Sequence, residues 1–285
     1  CREGLKAAGI VTGDRVAAVI ANCPEAVIGA LASASLGAVW SSCSPDFGIS
    51  GIHDRLGQIE PKVLLTVNTY HYNGKEHDCL AKVREVTKQI TSIRSTYVIP
   101  FTETQMVLQH DEKEWSILLD HPQARPCYEA LPFEHALYII YSSGTTGQPK
   151  GILRPLPDDT PENPVPVYRF LIKLWRYREG MIYLSPAPLY HSAPHAAVNF
   201  TLRMGGTAVI MERFDPELYL SLLGKYRITH SQLVPTMFSR MLKLPDEVRS
   251  AYDVSSLETA VHAAAPCPVQ VKQQMIDWWG PIIYE

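Results

Sequence analysis

The chain has 285 residues, of which 46% are hydrophobic and 19% are charged, and its formal net charge is −3. This composition is typical of a globular protein with enough apolar residues for a core, and the slightly acidic balance argues against a nucleic-acid partner. No apolar run reaches the ~20 residues of a membrane-spanning helix. The six cysteines are scattered without a CxxC pair, which favours reduced thiols, and we therefore expect a cytoplasmic protein.

Short apolar runs alternate with longer helical patterns along the chain. We predict strands at residues 15–21, 62–67, 96–99, 136–141, 181–185, 207–211, 228–233, 257–263 and 282–284. The first full helix begins at Pro24 and ends at Gly37. Further helices are predicted at residues 51–59, 80–90, 167–178, 216–226, 236–244 and 268–279. Because most strands lack strict polar alternation, they are expected to be covered on both faces, which predicts an α/β protein with mostly parallel sheets flanked by helices.

Two stretches have the composition of loops. Residues 68–77 are mostly polar, and residues 154–167 contain five prolines in fourteen positions. Proline lacks the backbone donor that helices and central strands need. We therefore predict an exposed loop at 154–167.

The most unusual segment is SSGTTGQPKG, residues 142–151, which follows the apolar run ALYIIY. Its glycines let backbone N–H groups approach an anion, its hydroxyls can donate to phosphate oxygens, and Lys150 adds a positive charge. Such a segment is either a phosphate-binding loop beyond the carboxyl end of a strand or a flexible hinge. Its glycine spacing matches neither the Walker A motif nor GxGxxG.

Residues 141–151, YSSGTTGQPKG, resemble the phosphate-loop signature of the adenylate-forming superfamily. That superfamily includes acyl-CoA synthetases, firefly luciferase and the adenylation domains of nonribosomal peptide synthetases. The resemblance implies ATP binding by Ser142, Ser143, Gly144, Thr145, Thr146, Gly147 and Lys150. Among these, Lys150, Thr145 and Thr146 would also act in catalysis by neutralising and holding phosphate oxygens.

Three further segments resemble family segments in the same order. PAPLYHSAPH, residues 186–195, resembles the segment that lines the acyl pocket, which implies that Tyr190 and His191 bound the substrate. LVPTMF, residues 233–238, resembles a strand-to-helix corner of the family. HAAAPCP, residues 262–268, resembles the small-residue turn along the adenine ring, which implies nucleotide contacts from His262, Ala263, Ala264, Ala265 and Pro266. Ala263 and Ala264 stand where the family often has glycine, so their Cβ atoms restrict how closely the backbone can approach the adenine ring.

A zinc site was considered for His191 and His195, which have the i, i+4 spacing of HExxH. No glutamate follows His191, and Pro194 is expected to disrupt the intervening turn. We therefore expect packing for His195 and no metal ligand in this chain. The resemblance implies that the magnesium-binding glutamate of the family comes after Glu285.

The two halves of the chain resemble different subfamilies. Residues 1–150 are similar to acetoacetyl-CoA synthetases, in segments such as WSSCSPDFG and YHYNGK. Residues 151–285 look more like fatty-acid or bile-acid CoA ligases. One hypothesis is a chimera, natural or created by joining reads at the shared segment 142–151.

The resemblance implies a large N-terminal domain of an AMP-forming acid–CoA ligase, with ATP, Mg²⁺, CoA and a small-molecule carboxylate as reactants and no membrane span. We expect one incomplete AMP-binding domain over residues 1–285, packed as two α/β lobes of about 1–180 and 181–285. A truncated chain without the family's C-terminal domain is expected to be inactive alone. The alternatives are a fatty-acid or bile-acid ligase, a non-catalytic nucleotide-binding module, and an adenylation domain that loads a carrier protein.

Overall fold

A computed structural model describes residues 1–72, 74–132, 135–141, 151–152 and 166–285, and for 151–152, 166–168 and 170–171 it describes the backbone alone. The chain divides into two compact units, Cys1–Asp158 and Asp159–Glu285. The expected single incomplete domain, with lobes that meet near residue 180, stays a prediction.

The first unit is built on a parallel sheet. Its strands are β1 (Arg15–Val19), β2 (Val39–Cys43), β3 (Val63–Val67), β4 (Thr69–Tyr72), β5 (Lys75–Asp78), β6 (Ser95–Ile99), β7 (Glu112–Glu114), β8 (Ile140–Tyr141) and β9 (Gly151–Ile152). Its helices are α1 (Arg2–Ala7), α2 (Pro24–Ser35), α3 (Ile49–Leu56), α4 (Leu80–Thr87) and α5 (Ser116–Leu119). Within the described part, five strands pair in the order β2-β1-β3-β6-β7, and every pair is parallel. Two antiparallel pairs, β4-β5 and β8-β9, stand apart from this sheet.

The second unit is built the same way. Its strands are β10 (Ile182–Ser185), β11 (Thr207–Ile210), β12 (His230–Leu233), β13 (Thr259–His262) and β14 (Ile283–Tyr284). Its helices are α6 (Pro166–Trp175), α7 (Ser192–Arg203), α8 (Pro216–Tyr226), α9 (Pro235–Met241), α10 (Asp246–Ser250) and α11 (Val269–Trp279). The described strands pair in parallel in the order β11-β10-β12-β13-β14. Numbered from its own first sheet strand, each unit therefore has the order 2-1-3-4-5, which is a doubly wound arrangement.

Helix ends follow the local sequence signals. Pro24 occupies the first turn of α2 after an extended Cys23, and Gly37 follows its last turn with φ 68°. Proline costs nothing in a first turn, where its missing N–H would have no helical partner, and glycine accepts positive φ without strain. In α8, Asp215 accepts hydrogen bonds from the backbone N–H groups of Glu217 and Leu218.

The core of the second unit lies between its sheet and the helices α8, α9 and α11. Tyr219, Phe238 and Trp279 meet there, with ring centroids 6.3 Å apart for Tyr219 and Trp279 and 5.9 Å apart for Phe238 and Trp279. Leu184 of the central strand β10 is fully buried in the same cluster. This core fixes β10, β12 and β13, whose carboxyl ends carry the segments singled out in the sequence.

Several elements differ from the sequence prediction. The strand predicted at 136–141 is reduced to Ile140–Tyr141, preceded by a single bridge between Tyr138 and Trp40. The loop predicted at 68–77 contains most of the β4-β5 pair. No element was predicted at β2 or α7, and both are present.

Candidate functional site

The carboxyl edge of the second unit's sheet has the geometry of a ligand site. After β10 the chain passes through α7 to β11 on one side, whereas after β12 it passes through α9 and α10 to β13 on the other side. The loops that leave Ser185 and Leu233 therefore diverge. In open α/β sheets, such a divergence creates the crevice in which ligands bind.

The loop after β10 carries Tyr190 and His191, the predicted substrate-pocket residues. Their ring centroids lie 4.4 Å apart, with the ring planes inclined by 44°. The backbone N–H of His191 donates to the carbonyl of Pro188 at 3.2 Å, which tightens the loop directly before α7. Tyr190 is half-buried and His191 is exposed, so both rings stand at the surface of the carboxyl edge. Their role as a pocket wall stays a prediction.

The expectation that Pro194 disrupts the next turn is wrong. Pro194 lies within the first turn of α7, and the backbone N–H of His195 donates to the carbonyl of His191 at 3.2 Å. A proline at this position lacks a donor that would have no helical partner, so the helix forms. His195 is buried, and burial lowers its pKa and favours the neutral ring. In the part of the chain that the structure describes, no three His, Cys, Asp or Glu side chains are grouped to hold a metal ion.

The turn after β13 presents backbone to solvent. Ala264, Ala265 and Pro266 are exposed, and the backbone N–H of Ala263 donates to the carbonyl of Leu233 at 3.3 Å. Ala264 has φ 74°, in the left-handed region that costs a non-glycine residue roughly 1 kcal/mol or more. Strained residues of this kind cluster at ligand sites, because the surrounding structure holds them in place. Ala264, which stands where the resembling enzymes often have glycine, is therefore a strained residue of this turn.

His262, the last residue of β13, differs from its neighbours in the turn because its side chain is fully buried. Its ring meets Phe238 edge-on, with centroids 5.7 Å apart. Neither ring nitrogen has a hydrogen-bond partner among the described residues. Because the ring has no exposed surface in this structure, an adenine-side contact would come from the following turn, and the predicted contact of His262 itself stays a prediction.

Two residues at this edge were missed by sequence reasoning. The Nζ atom of Lys272, in the first turn of α11, lies 2.6 Å from Oε2 of Glu285, and the same oxygen lies 3.9 Å from Nε2 of His262. The register of β13 and β14 pairs Val261 with Tyr284, so His262 and Glu285 are the next positions along the two strands. No local sequence signal reveals this neighbourhood, because it depends on which strands pair.

The predicted phosphate loop lies outside the described residues. This applies to the whole set Ser142, Ser143, Gly144, Thr145, Thr146, Gly147 and Lys150. The residues that flank the loop are described: Tyr141 pairs with Gly151 across the antiparallel β8-β9 ladder. The hydroxyl of Tyr141 donates to the backbone carbonyl of Arg55, and burial raises its pKa to about 12, so it remains a donor at neutral pH.

Comparison with known proteins identifies the family. The model of the AMP-binding enzyme family matches residues 2–285. This chain belongs to the AMP-binding enzyme family. The α/β fold and the membership of the adenylate-forming superfamily expected from the sequence are thereby confirmed.

Individual AMP-binding enzymes resemble the chain over different lengths. It is 46% identical over 156 residues to the acetoacetyl-coenzyme A synthetase of Rhizobium meliloti (strain 1021), across 53% of this chain and 24% of that protein. It is 44% identical over 153 residues to the acetoacetyl-CoA synthetase of Xenopus tropicalis, across 50% of this chain and 22% of that protein. It is 40% identical over 165 residues to the malonamoyl-CoA synthetase vrtB of Penicillium aethiopicum, across 54% of this chain and 22% of that protein.

A solved AMP-binding enzyme resembles nearly the whole chain. The acetoacetyl-CoA synthetase from Streptomyces lividans superposes with a TM-score of 0.85 at 28% identity, covering 98% of this chain and 42% of that one. The predicted resemblance to acetoacetyl-CoA synthetases is confirmed. The chain covers about a quarter of the length of the curated relatives it matches. Among its described helices, none has the length and apolar character to cross a membrane.

Proposed function

We propose that this chain is part of an AMP-forming acid–CoA ligase and contributes its sites for ATP and for a short carboxylic acid. In the first step, a carboxylate oxygen bonds to the α-phosphorus of ATP while the bond to pyrophosphate breaks. In the second step, the CoA sulfur bonds to the acyl carbon while AMP leaves and the thiol proton passes to solvent. Both steps need charge neutralisation and alignment more than covalent help from the protein.

The chain's own residues have complementary roles in this proposal. Lys150, with the hydroxyls of Thr145 and Thr146, holds phosphate oxygens and stabilises departing pyrophosphate. Ser142, Ser143, Gly144 and Gly147 complete the loop with hydroxyl and backbone donors. Tyr190 and His191 bound the acyl group. The exposed backbone of the turn 263–266 lies along the adenine ring, and Mg²⁺ would neutralise the charge on the phosphates.

One observation carries the proposal: the sheet order that makes the β10 and β12 loops diverge. It puts the Tyr190–His191 loop at the carboxyl edge where the strained, exposed turn at Ala264 also lies, two strands away. Two segments that resemble acyl-binding and adenine-binding segments thus share one edge of one parallel sheet. That is the arrangement expected of a site that joins a carboxylate to a nucleotide.

The acid is proposed to be acetoacetate or a similarly short acid. The acetoacetyl and malonamoyl groups in the names of three relatives both carry a second carbonyl on the third carbon. A hydrophobic pocket for a long acyl chain offers no hydrogen-bond partner for such a carbonyl. A site whose polar groups hydrogen-bond the second carbonyl rejects acids that lack this carbonyl, because those polar groups would be left unpaired. A fatty acid or bile acid, suggested by the second half of the sequence, is the competing substrate class. We propose that the ligase acts in the cytoplasm.

Calorimetric titration with non-reactive acyl-adenylate analogues tests the proposal. The probes are acetoacetyl- and octanoyl-sulfamoyl adenosine, with AMP as the reference ligand. We expect the acetoacetyl analogue to bind the wild-type chain most tightly. Lys150→Met should weaken the binding of the ATP analogue AMP-PNP, which keeps the β- and γ-phosphates, by about tenfold or more. The matched control is Lys88→Met, because Lys88 is an exposed lysine whose ion pair with Glu85 is also exposed.

Other outcomes contradict the proposal in different ways. Tighter binding of the octanoyl analogue identifies the fatty-acid class instead. If AMP binds and neither acyl group increases the affinity, the chain is a nucleotide-binding module that does not activate an acid. A preference for aminoacyl analogues would favour the class of adenylation domains that load carrier proteins. An unchanged affinity of Lys150→Met for AMP-PNP removes the phosphate-loop assignment.

A further inference from the structure

His262 has an unusual environment for a polar side chain. It is fully buried, and both of its ring nitrogens lack a hydrogen-bond partner in the described part of the chain. A buried polar group without a partner costs about 1–3 kcal/mol. An apolar residue would fill the same space beside Phe238 without that cost. The two unpartnered nitrogens therefore direct attention to the charged groups that lie nearest to them.

A carboxylate lies close to one of these nitrogens. Oε2 of Glu285 is 3.9 Å from Nε2 of His262, too far for a hydrogen bond but close enough for the carboxylate charge to act on the ring. The parallel register of β13 and β14 makes the two residues adjacent on neighbouring strands, so their side chains leave the sheet on the same side. The proximity therefore follows from the strand pairing and not from a chance approach of two flexible side chains.

Lys272 fixes the direction of that carboxylate. Its Nζ atom is 2.6 Å from the same Oε2, and Lys272 is itself held in the first turn of α11, where its backbone N–H donates to the carbonyl of Pro268 at 3.0 Å. An exposed pair of this kind adds about 0–1 kcal/mol to stability. Its larger effect is on orientation, because it holds a negative charge opposite Nε2.

Cys267, which interacts with the same Lys272 and Glu285 charges, adds no charge of its own. The half-buried thiol of Cys267 stays neutral, because burial raises its pKa. Burial lowers the pKa of His262 and Lys272 lowers it further, whereas Glu285 raises it by less, so the pKa stays below its ordinary value and the ring is neutral at pH 7. A neutral imidazole carries one proton, and a carboxylate opposite Nε2 attracts that proton to Nε2. Nδ1 is then left as an acceptor.

We propose that Lys272 and Glu285 are positioning residues that fix the tautomer of His262 and thereby the conformation of the nucleotide-binding turn 263–266. This inference rests on the proposed function for the turn's role in nucleotide binding. Glu285, oriented by Lys272, holds the proton on Nε2, so that Nδ1 accepts from a backbone or ligand donor when the turn is occupied. The pair links β13, β14 and the start of α11 at the edge where the strained Ala264 is exposed.

Nitrogen-15 NMR of histidine-labelled protein tests the tautomer directly. Long-range proton–nitrogen spectra of the 285-residue chain distinguish Nε2–H from Nδ1–H rings, and His262→Gln identifies the signals of His262. We expect the Nε2–H form in the wild-type protein and in Lys272→Arg. In Lys272→Met and Glu285→Ala, we expect a mixture of the two tautomers. Lys243→Met, at an exposed lysine after α9, is the control and should leave the His262 signals unchanged.

A second measurement links the tautomer to nucleotide binding. Titration with the ATP analogue AMP-PNP should give an affinity about fivefold weaker in Lys272→Met and Glu285→Ala, and near the wild-type value in Lys272→Arg. Because Lys272 and Glu285 are on the surface, these variants are expected to melt within a few degrees of the wild-type protein, which separates a positioning role from a folding role.

The outcomes separate this inference from the proposed function. His262 signals that are the same in wild type, Lys272→Met and Glu285→Ala overturn the positioning role, even if AMP-PNP binds. If the wild-type chain does not bind AMP-PNP, the proposed function fails, and the tautomer of the free protein still decides whether Lys272 and Glu285 fix His262. If Lys272→Met and Glu285→Ala change the tautomer of His262 but leave the AMP-PNP affinity unchanged, the proposed effect of the tautomer on the nucleotide-binding turn is overturned.

Discussion

The Nε2 atom of His230 lies 3.1 Å from the backbone carbonyl oxygen of Arg176. Because a carbonyl oxygen can only accept, the ring carries its proton on Nε2, and Nδ1 lies as an acceptor 2.8 Å from the hydroxyl of Thr229. Arg176 has φ 56°, so this hydrogen bond helps to hold a left-handed residue just after α6. The ring also meets Tyr177 edge-on at 5.3 Å. One imidazole therefore ties the residues after α6 to β12.

The burial of the His230 ring makes the stability of the second unit sensitive to acid. Burial lowers the pKa of His230, so the unfolded chain takes up a proton at a higher pH than the folded chain does. The stabilisation is complete above the unfolded pKa of about 6.5 and is lost as the pH falls below it. Between pH 7.5 and 5.5 in urea titrations, the wild-type protein should lose on the order of 1 kcal/mol more than His230→Gln.

Glutamine is the matched replacement for His230, because its amide can donate to the Arg176 carbonyl but does not titrate. Equal losses of stability in the two proteins would show that His230 is not the source of the acid sensitivity. His230→Leu, which lacks the donor, should be the least stable variant at pH 7.5.

The left-handed Ala264 predicts a stabilising substitution inside the candidate site. Ala264→Gly removes the contact between Cβ and the backbone that disfavours positive φ, and we expect the free energy of unfolding to rise by up to about 1 kcal/mol. The neighbouring Ala265→Gly is the control, since Ala265 is not among the residues with positive φ. It should lower stability by roughly 0.5 kcal/mol through the greater entropy of the unfolded chain. If Ala264→Gly lowers the free energy of unfolding as much as Ala265→Gly does, Ala264 is not strained in the folded protein.

In the first unit, an ion pair between Arg84 and Glu112 makes a strong stability prediction. The guanidinium donates to both carboxylate oxygens of Glu112 at 2.8 Å, and the Glu112 side chain is only 3% exposed. Arg84→Met leaves that carboxylate buried without its partner, which should cost about 3 kcal/mol in denaturant titrations. Lys88→Met on the same surface, which breaks an exposed pair, should cost less than about 0.5 kcal/mol.

The same pair has a pH signature. Burial, the largest single cause, would raise the pKa of Glu112. The hydrogen bonds from Arg84 and from the backbone of Gln109, together with the charge of Arg84, outweigh burial, so the pKa is lowered. The stabilisation is present above the unfolded pKa of about 4.3 and is lost as the pH falls below it. Arg84→Met should therefore lose less stability than the wild-type protein between pH 5 and pH 3. A parallel loss in both proteins would rule out the pair as the cause.

Asn68 organises the carboxyl edge of the first unit's sheet. Its amide donates to the carbonyls of Thr102 and Thr104 at 3.2 and 2.9 Å, and its oxygen accepts from the backbone N–H groups of Phe101 and Thr102 at 2.9 and 3.2 Å. Asn68→Ala should cost about 2–4 kcal/mol and speed proteolysis after Phe101. Asn68→Asp keeps the acceptor but turns a carboxylate oxygen toward the two carbonyls, so its loss should be at least as large as that of Asn68→Ala. Unchanged proteolysis in Asn68→Ala would remove this role.

Local signals predicted much of the fold. The helix from Pro24 to Gly37 was correct because its start and stop residues act locally. The sequence pattern does not reveal helix α7, because Pro194 indicates an interrupted turn, although a first helical turn tolerates proline. Strand β2 was missed because its apolar residues are mixed with serines, and its Ser41 hydroxyl donates to the carbonyl of Ile139, far away in sequence.

The candidate site was predictable in its segments and not in its contacts. Tyr190 and His191 and the turn after His262 stand out because they resemble family segments, and each lies after a strand as expected. The approach of Lys272 and Glu285 to His262 depends on β14 pairing with β13 in one register. A sequence pattern gives each strand but not its neighbour, so such contacts come only with the sheet.

The shared strand order of the two units has a consequence for how the chain is made. In the first unit, β2 and β3 both pair with β1, β6 pairs with β3, and β7 pairs with β6. In the second unit, β11 and β12 both pair with β10, β13 pairs with β12, and β14 pairs with β13. Every later strand of each parallel sheet joins one that left the ribosome earlier, so each sheet can grow outward during translation without waiting for a downstream partner.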